Sequence, residues 1–93
     1  MTITVRLFAT LRMHLGVASV LVDVAEPPTV LELIGMIGER LGEDIHEWLI
    51  EPDGNVRMGT MILLDGHNML HMDGLDTRVE TDQVAVFPPA GGG

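Results

Sequence analysis

The chain contains no cysteine. That excludes a disulfide framework, a thiolate zinc site, a cysteine-ligated iron–sulfur cluster and a cysteine nucleophile, and it is compatible with a reducing compartment. There is no lysine either. All five basic residues are arginine, so copies of this chain cannot be joined to one another through lysine side chains. No apolar stretch approaches the length of a membrane span. The N-terminus lacks the charged region, apolar run and cleavage site of a secretory signal. The expectation is a soluble, cytoplasmic protein. Positive charge is scarce and negative charge is not: fourteen carboxylates against five arginines leave a net charge of −9. Nucleic acid and anionic membrane are poor partners for such a surface, and a basic groove on another protein is a better one.

What is present is enough for one small core. Hydrophobic residues make up 46% of the 93 residues and charged residues 20%, which separates the chain from a disordered acidic tail. Thr2 to Phe8 alternates, with Ile3, Val5 and Leu7 on one face and Thr4, Arg6 and Phe8 on the other, and reads as a strand. Ala9 to Leu15 reads as a short turn of helix or a loop, closed by Gly16. Ala18 to Val24 alternates again and should pair with the first strand as an antiparallel hairpin.

Pro27-Pro28 breaks the chain. Thr29 with Glu32 three residues on forms the S/T-x-x-E signature of a capped helix start. Val30, Leu33, Ile34, Ile37 and Leu41 recur at helical spacing, and Gly42 is the natural stop. Gly35 and Gly38 inside that helix each cost roughly 1 kcal/mol against alanine. Either they let the helix lie close on a sheet or the helix is weak, and close packing is the preferred reading. Glu43 to Ile50 is open between a helical turn and a short strand. Asn55 to Thr60 is a loop or a short return strand. Met61 to Leu64 reads as a buried strand ended by the Asp65-Gly66 turn. A loop anchored by Leu75 and Val79 follows, and Gln83 to Phe87 is the last strand. One main helix and four or five strands make an α+β domain whose sheet packs one face on the helix.

Turning the aliphatic faces toward the helix leaves Phe8, Leu21 and Phe87 pointing outward. Two of the three aromatic residues would then lie on the solvent side, which predicts a docking surface. The interior offers no chemistry. His14, His46, His67 and His71 make no metal pattern and read as solvated or hydrogen-bonded. No carboxylate pair stands out as an acid/base couple, and no nucleophile or phosphate-binding motif occurs. What remains is the end of the chain, VAVFPPAGGG. It reads as a strand, a stiff Pro88-Pro89 exit and a flexible glycine-rich tail, Ala90 to Gly93, leaving residues 1–89 as the folded domain. A bare glycine end is either simply frayed or suited to a narrow channel, because it has no side chains to obstruct entry.

The chain resembles the MoaD/ThiS sulfur carriers, which have the ubiquitin-like β-grasp fold, and is most similar to the MoaD type, the small subunit of molybdopterin synthase. The resemblance spans the whole chain. It rests on Phe8-Ala9-Thr10-Leu11-Arg12, on Thr29-Val30 with Leu33, on Ile62 to Gly66 (ILLDG), on Asp73 to Thr77 (DGLDT), and above all on Asp82 to Pro89 (DQVAVFPP) followed by Gly92-Gly93. It implies a mixed sheet of four or five strands on one main helix. It also implies that a ubiquitin-activating-type adenylyltransferase uses ATP to adenylate Gly93, the last residue of the Gly92-Gly93 diglycine, that the Gly93 carboxyl then becomes a thiocarboxylate, and that a MoaE-type large subunit receives the tail. The expectation is that the chain itself binds no cofactor or metal, ATP being used by the activating partner, and that Phe8, Leu21 and Phe87 of the outward face meet the partners together with Pro88, Pro89, Ala90 and Gly91 leading into the tail. Ala90 and Gly91 depart from the bulkier aliphatic pair usual at those places, and Asp65 stands where many relatives have asparagine.

Overall fold

The computed structural model describes residues 1–89. Ala90, Gly91, Gly92 and Gly93, the expected flexible tail, lie outside the described residues. Ten elements follow in order. They are β1 (Thr2–Leu7), α1 (Ala9–Leu15), β2 (Ser19–Asp23), α2 (Val30–Leu41), α3 (His46–Leu49), β3 (Met61–Leu64), β4 (His67–Asn68), two 3-10 turns (Met69–His71 and Gly74–Asp76) and β5 (Gln83–Phe87). The five strands form one mixed sheet in the order β2-β1-β5-β3-β4. β1 runs antiparallel to β2 and parallel to β5, which in turn runs antiparallel to β3. This is the ubiquitin-like β-grasp, an α+β fold.

Alternation decides which strand residues enter the core. Ile3, Val5 and Leu7 of β1, Val20 and Val22 of β2, Ile62 and Leu64 of β3, and Val84 and Val86 of β5 are all buried. They meet Val30, Leu33, Ile34 and Ile37 of α2 in one continuous cluster. α2 starts as its residues dictate. The Thr29 side chain accepts from the Glu32 backbone N–H, and the Glu32 carboxylate accepts from the Thr29 N–H at 2.8 Å. Hydrogen bonding to the carboxylate from the Thr29 backbone N–H and side chain, with Arg78 nearby, holds the Glu32 carboxyl below its ordinary range. Gly42 ends the helix at φ 74°, in the left-handed region where glycine carries no penalty.

Several expectations take a different form in the fold. Gly38 does not let α2 approach the sheet. A Cβ there would stand 2.8 Å from the carbonyl oxygen of Glu43, so its close neighbour is the chain returning past the end of the same helix. The open stretch 43–50 forms one helical turn, α3, after which Ile50 makes a single bridge to Val56. The return strand considered at 55–60 reduces to that bridge. The fifth strand is instead β4, directly after the Asp65-Gly66 turn. Asp65 and Gly66 both have positive φ, 50° and 84°, which is the backbone of a two-residue hairpin that follows the twist of its strands. Met69, in a stretch dominated by turn formers, is fully buried in the core, as is the expected anchor Val79, while Leu75 is partly buried.

Candidate functional site

The sheet face turned away from α2 divides by register into rows. Phe87 of β5 stands opposite Met61 of β3, and Ala85 stands opposite Leu63. On the other side of β5, Ala85 stands beside Arg6. Phe8 continues the β1 ladder one residue past the strand, its N–H donating to the Val86 carbonyl at 3.2 Å. Ala9 then takes φ 53°, which turns the chain sharply into α1. The bend leaves the Phe8 ring stacked on Phe87, with ring centroids 4.2 Å apart and planes 9° from parallel. Phe8, Phe87, Met61, Leu63 and Ala85 are all half-buried, so the patch is apolar and still open on its outer side. A stacked pair of this kind is worth roughly 0.5–1.5 kcal/mol beyond the area it buries. Arg6 lies exposed at the margin, and its side chain makes no hydrogen bond or ion pair among the described residues.

The expected docking residues therefore separate. Phe8 and Phe87 come together. Leu21 does not join them: it stands opposite Thr4, four residues back along β1 from Phe8, a distance of about 13 Å along a strand. Its side chain is 53% exposed, in a polar row with Thr4 and Gln83. Pro88 is buried, so it fixes the exit from β5 and does not itself present a surface; Pro89 is half-buried. The positions expected to carry the chemistry, Gly92 and Gly93, and their neighbours Ala90 and Gly91, lie outside the described residues. Met61 and Leu63 are the residues that sequence reasoning missed. MILL looked buried throughout, yet period-two alternation assigns Met61 and Leu63 to the face opposite Ile62 and Leu64.

Two of the four histidines pair with carboxylates. His14 of α1 bonds Glu43 and lies against Trp48, with ring centroids 4.8 Å apart. His46 Nδ1 stands 2.7 Å from Asp44 Oδ1, and bonds from His46 hold the Asp44 carboxyl below its ordinary range. Among the described residues no group of three or more histidines and carboxylates is placed to hold a metal. No helix among them is long and apolar enough to cross a membrane. The arrangement is thus an aromatic and aliphatic platform at the root of a proline-stiffened, glycine-ended segment.

The chain has relatives in both sequence and fold. The ThiS family matches residues 5–93. The chain belongs to the ThiS family. The family comprises ubiquitin-like sulfur carriers and small modifiers. Small archaeal modifier protein 3 of Haloferax volcanii is 34% identical to this chain over 94 residues, covering the whole of both. The crystal structure of SAMP1 from Haloferax volcanii superposes with a TM-score of 0.78 at 24% identity over all of both chains, a likeness of fold. A chain of the Amycolatopsis orientalis BexX/CysO complex superposes with a TM-score of 0.76 at 26% identity, covering 98% of this ThiS-family chain and 99% of that one.

Proposed function

We propose that this ThiS-family chain is a sulfur carrier whose Gly93 carboxyl group is activated by a ubiquitin-activating-type adenylyltransferase and converted to a thiocarboxylate. The observation that carries the reading is the Phe8–Phe87 stack with Met61 and Leu63, open to solvent one residue before Pro88-Pro89 and the glycine end. A partner docked on that platform receives the tail at a fixed origin. The chemistry belongs to the partner and the tail. The Gly93 carboxylate attacks the α-phosphorus of ATP, giving an acyl-adenylate and releasing pyrophosphate. Hydrosulfide then adds to the acyl carbon, AMP leaves with the bonding pair, and loss of the thiol proton gives the thiocarboxylate. Glycines suit a channel that must admit the chain end and exclude water. Arg6 at the rim of the platform favours a carboxylate on the docking partner.

In its finer form the proposal gives the sulfur to molybdopterin synthesis, with a MoaE-type large subunit as acceptor. The support is the block Asp82 to Pro89 followed by Gly92-Gly93. A second reading, conjugation of Gly93 to lysines of other proteins, is favoured by the full-length similarity to small archaeal modifier protein 3. Both begin with the same adenylate.

Intact-mass measurement tests the common step. With ATP, hydrosulfide and a cognate adenylyltransferase, the full chain is expected to exchange one oxygen for sulfur, and Gly93→Trp is expected to stay unchanged. A wild-type chain that forms neither adenylate nor thiocarboxylate overturns the proposal. Adding a large synthase subunit and a molybdopterin precursor, or a lysine-bearing acceptor protein, then separates sulfur donation from isopeptide formation.

A further inference from the structure

The two edges of the sheet are finished differently. At the β4 edge the outer strand is only two residues long and runs straight into a 3-10 turn, which leaves little for another strand to pair with. At the other edge β2 runs five residues, Ser19 to Asp23, without lysine, proline or bulge. Leu7 N–H donates to Ala18 O, Val24 N–H donates to Met1 O, and the register continues that alternation. The backbone groups of residues 18, 20, 22 and 24 therefore face β1, and those of Ser19, Leu21 and Asp23 face outward. Of these outward groups only the Leu21 carbonyl has a partner among the described residues. It accepts from Arg40 Nε of α2 at 3.2 Å. A side-chain donor thus occupies the place where the N–H of an added strand would bond.

Beside this edge runs a groove between β2 and α2. It is lined by Val22, Met36, Glu39 and Arg40, with Asp23 at its margin. It continues past Asp23 and Met36 toward Glu26 and Pro27. A strand added to β2 would place alternate side chains over Val22 and Met36 on the α2 side, near the carboxylates of Glu26 and Glu39, and the others on the opposite face beside Asp23, whose carboxylate accepts from the Thr2 hydroxyl. We infer that the β2 edge is a second docking site, taking an extended segment of another protein in which apolar residues alternate with lysine or arginine, and that Arg40 closes the edge when the site is empty. The charge selects this occupant. A second copy would bring another surface of net charge −9 against Asp23, Glu26 and Glu39, whereas a basic strand offsets their charge. Main-chain pairing gives affinity and the alternate side chains give selectivity. The inference stands independently of the fate of Gly93, since Leu21 is separated from the Phe8–Phe87 platform.

The test is an amide-resolved NMR titration of the full chain with an end-blocked ten-residue peptide of alternating valine and lysine. Controls are a peptide of alternating glycine and lysine and one of alternating valine and glutamate. Saturable shifts centred on 19–23 and 36–40 with the valine–lysine peptide alone are the expected result. Arg40→Ala should bind roughly fivefold more tightly, because the incoming strand no longer displaces a hydrogen bond. Leu21→Pro should abolish binding: it removes an outward N–H and leaves the β1 ladder intact, which the unchanged amides of β1 would verify. Should that variant fail to fold, the wild-type shift map and Arg40→Ala still decide. The inference is overturned by an absence of shifts, by shifts confined to the Phe87 face, by equal binding of the glycine–lysine peptide, or by peptide-free dimerisation through β2.

Discussion

The two faces of the sheet are made from the same strands and obey different rules. On the inner face Leu7, Val86, Ile62 and their neighbours are interchangeable in kind: aliphatic, buried and packed on α2. On the outer face adjacent rows differ in kind. The row of Leu21, Thr4 and Gln83 is mostly polar, the next sets Arg6 beside Ala85 and Leu63, and the last is Phe8, Phe87 and Met61. Burial alone governs the first face. The order and register of the strands govern the second, because they decide which half-exposed side chains touch. The inner face therefore supplies stability, and the outer face supplies a place.

The largest effect should come from the inner face. Leu7→Ala removes a fully buried side chain from the central part of the sheet and should cost about 2–5 kcal/mol, because surrounding strands cannot collapse into the space. Leu63→Ala, one strand over from β5 and half-buried on the outer face, should cost clearly less. Urea denaturation of the two variants checks the contrast. Equal losses would mean that the outer face is core in all but name and that the platform is not open for docking.

How much was legible in the sequence follows from the same contrast. Period-two alternation tells which face a side chain takes, and it placed Ile3, Val5, Leu7, Val20 and Val22 inside and Phe8, Leu21 and Phe87 outside. It says nothing about rows. Leu21 was expected in one patch with the two phenylalanines, but a row is set only when β5 inserts between β1 and β3 and pairs with both. That is a long-range fact with no local signal. Met61 and Leu63 were missed for a related reason: a continuous apolar run hides the alternation that would have marked them. The capping box at Thr29 and the Asp65-Gly66 turn were readable because each is decided within four residues. Gly38 was half readable. That something approaches closely was apparent, and that the neighbour is the Glu43 carbonyl was not, since the path of the returning loop is tertiary.

A double-mutant cycle sharpens the outer face. Phe8→Ala and Phe87→Ala should each destabilise the domain, and the pair should show a coupling of roughly 0.5–1.5 kcal/mol, the size expected for stacked rings. The same cycle on Leu21 and Phe87 should give no coupling, because the register keeps them in different rows. Denaturation midpoints of the six proteins measure both couplings. A Leu21–Phe87 coupling as large as that of the stacked pair would restore the single patch and break the division of the face into rows.

The smallest effect concerns how Phe8 comes to its place. Ala9 is held at φ 53°, where an L-residue with a Cβ carries roughly 1–2 kcal/mol of strain. Glycine there would escape that strain and would cost roughly 0.5–1 kcal/mol in added unfolded-state freedom. Ala9→Gly should therefore raise stability by about 0.5–1 kcal/mol, measurable as a shift in urea midpoint. The strain is borne where β1 ends and the ring must leave the strand to stack on Phe87, so the bend serves the platform and not the core. If so, stability and partner binding should part company: the glycine variant should gain the first and lose some of the second, because the freed backbone no longer holds Phe8 against Phe87 in one orientation. A variant that gains both would show that the stack, and not the strained bend, positions the ring.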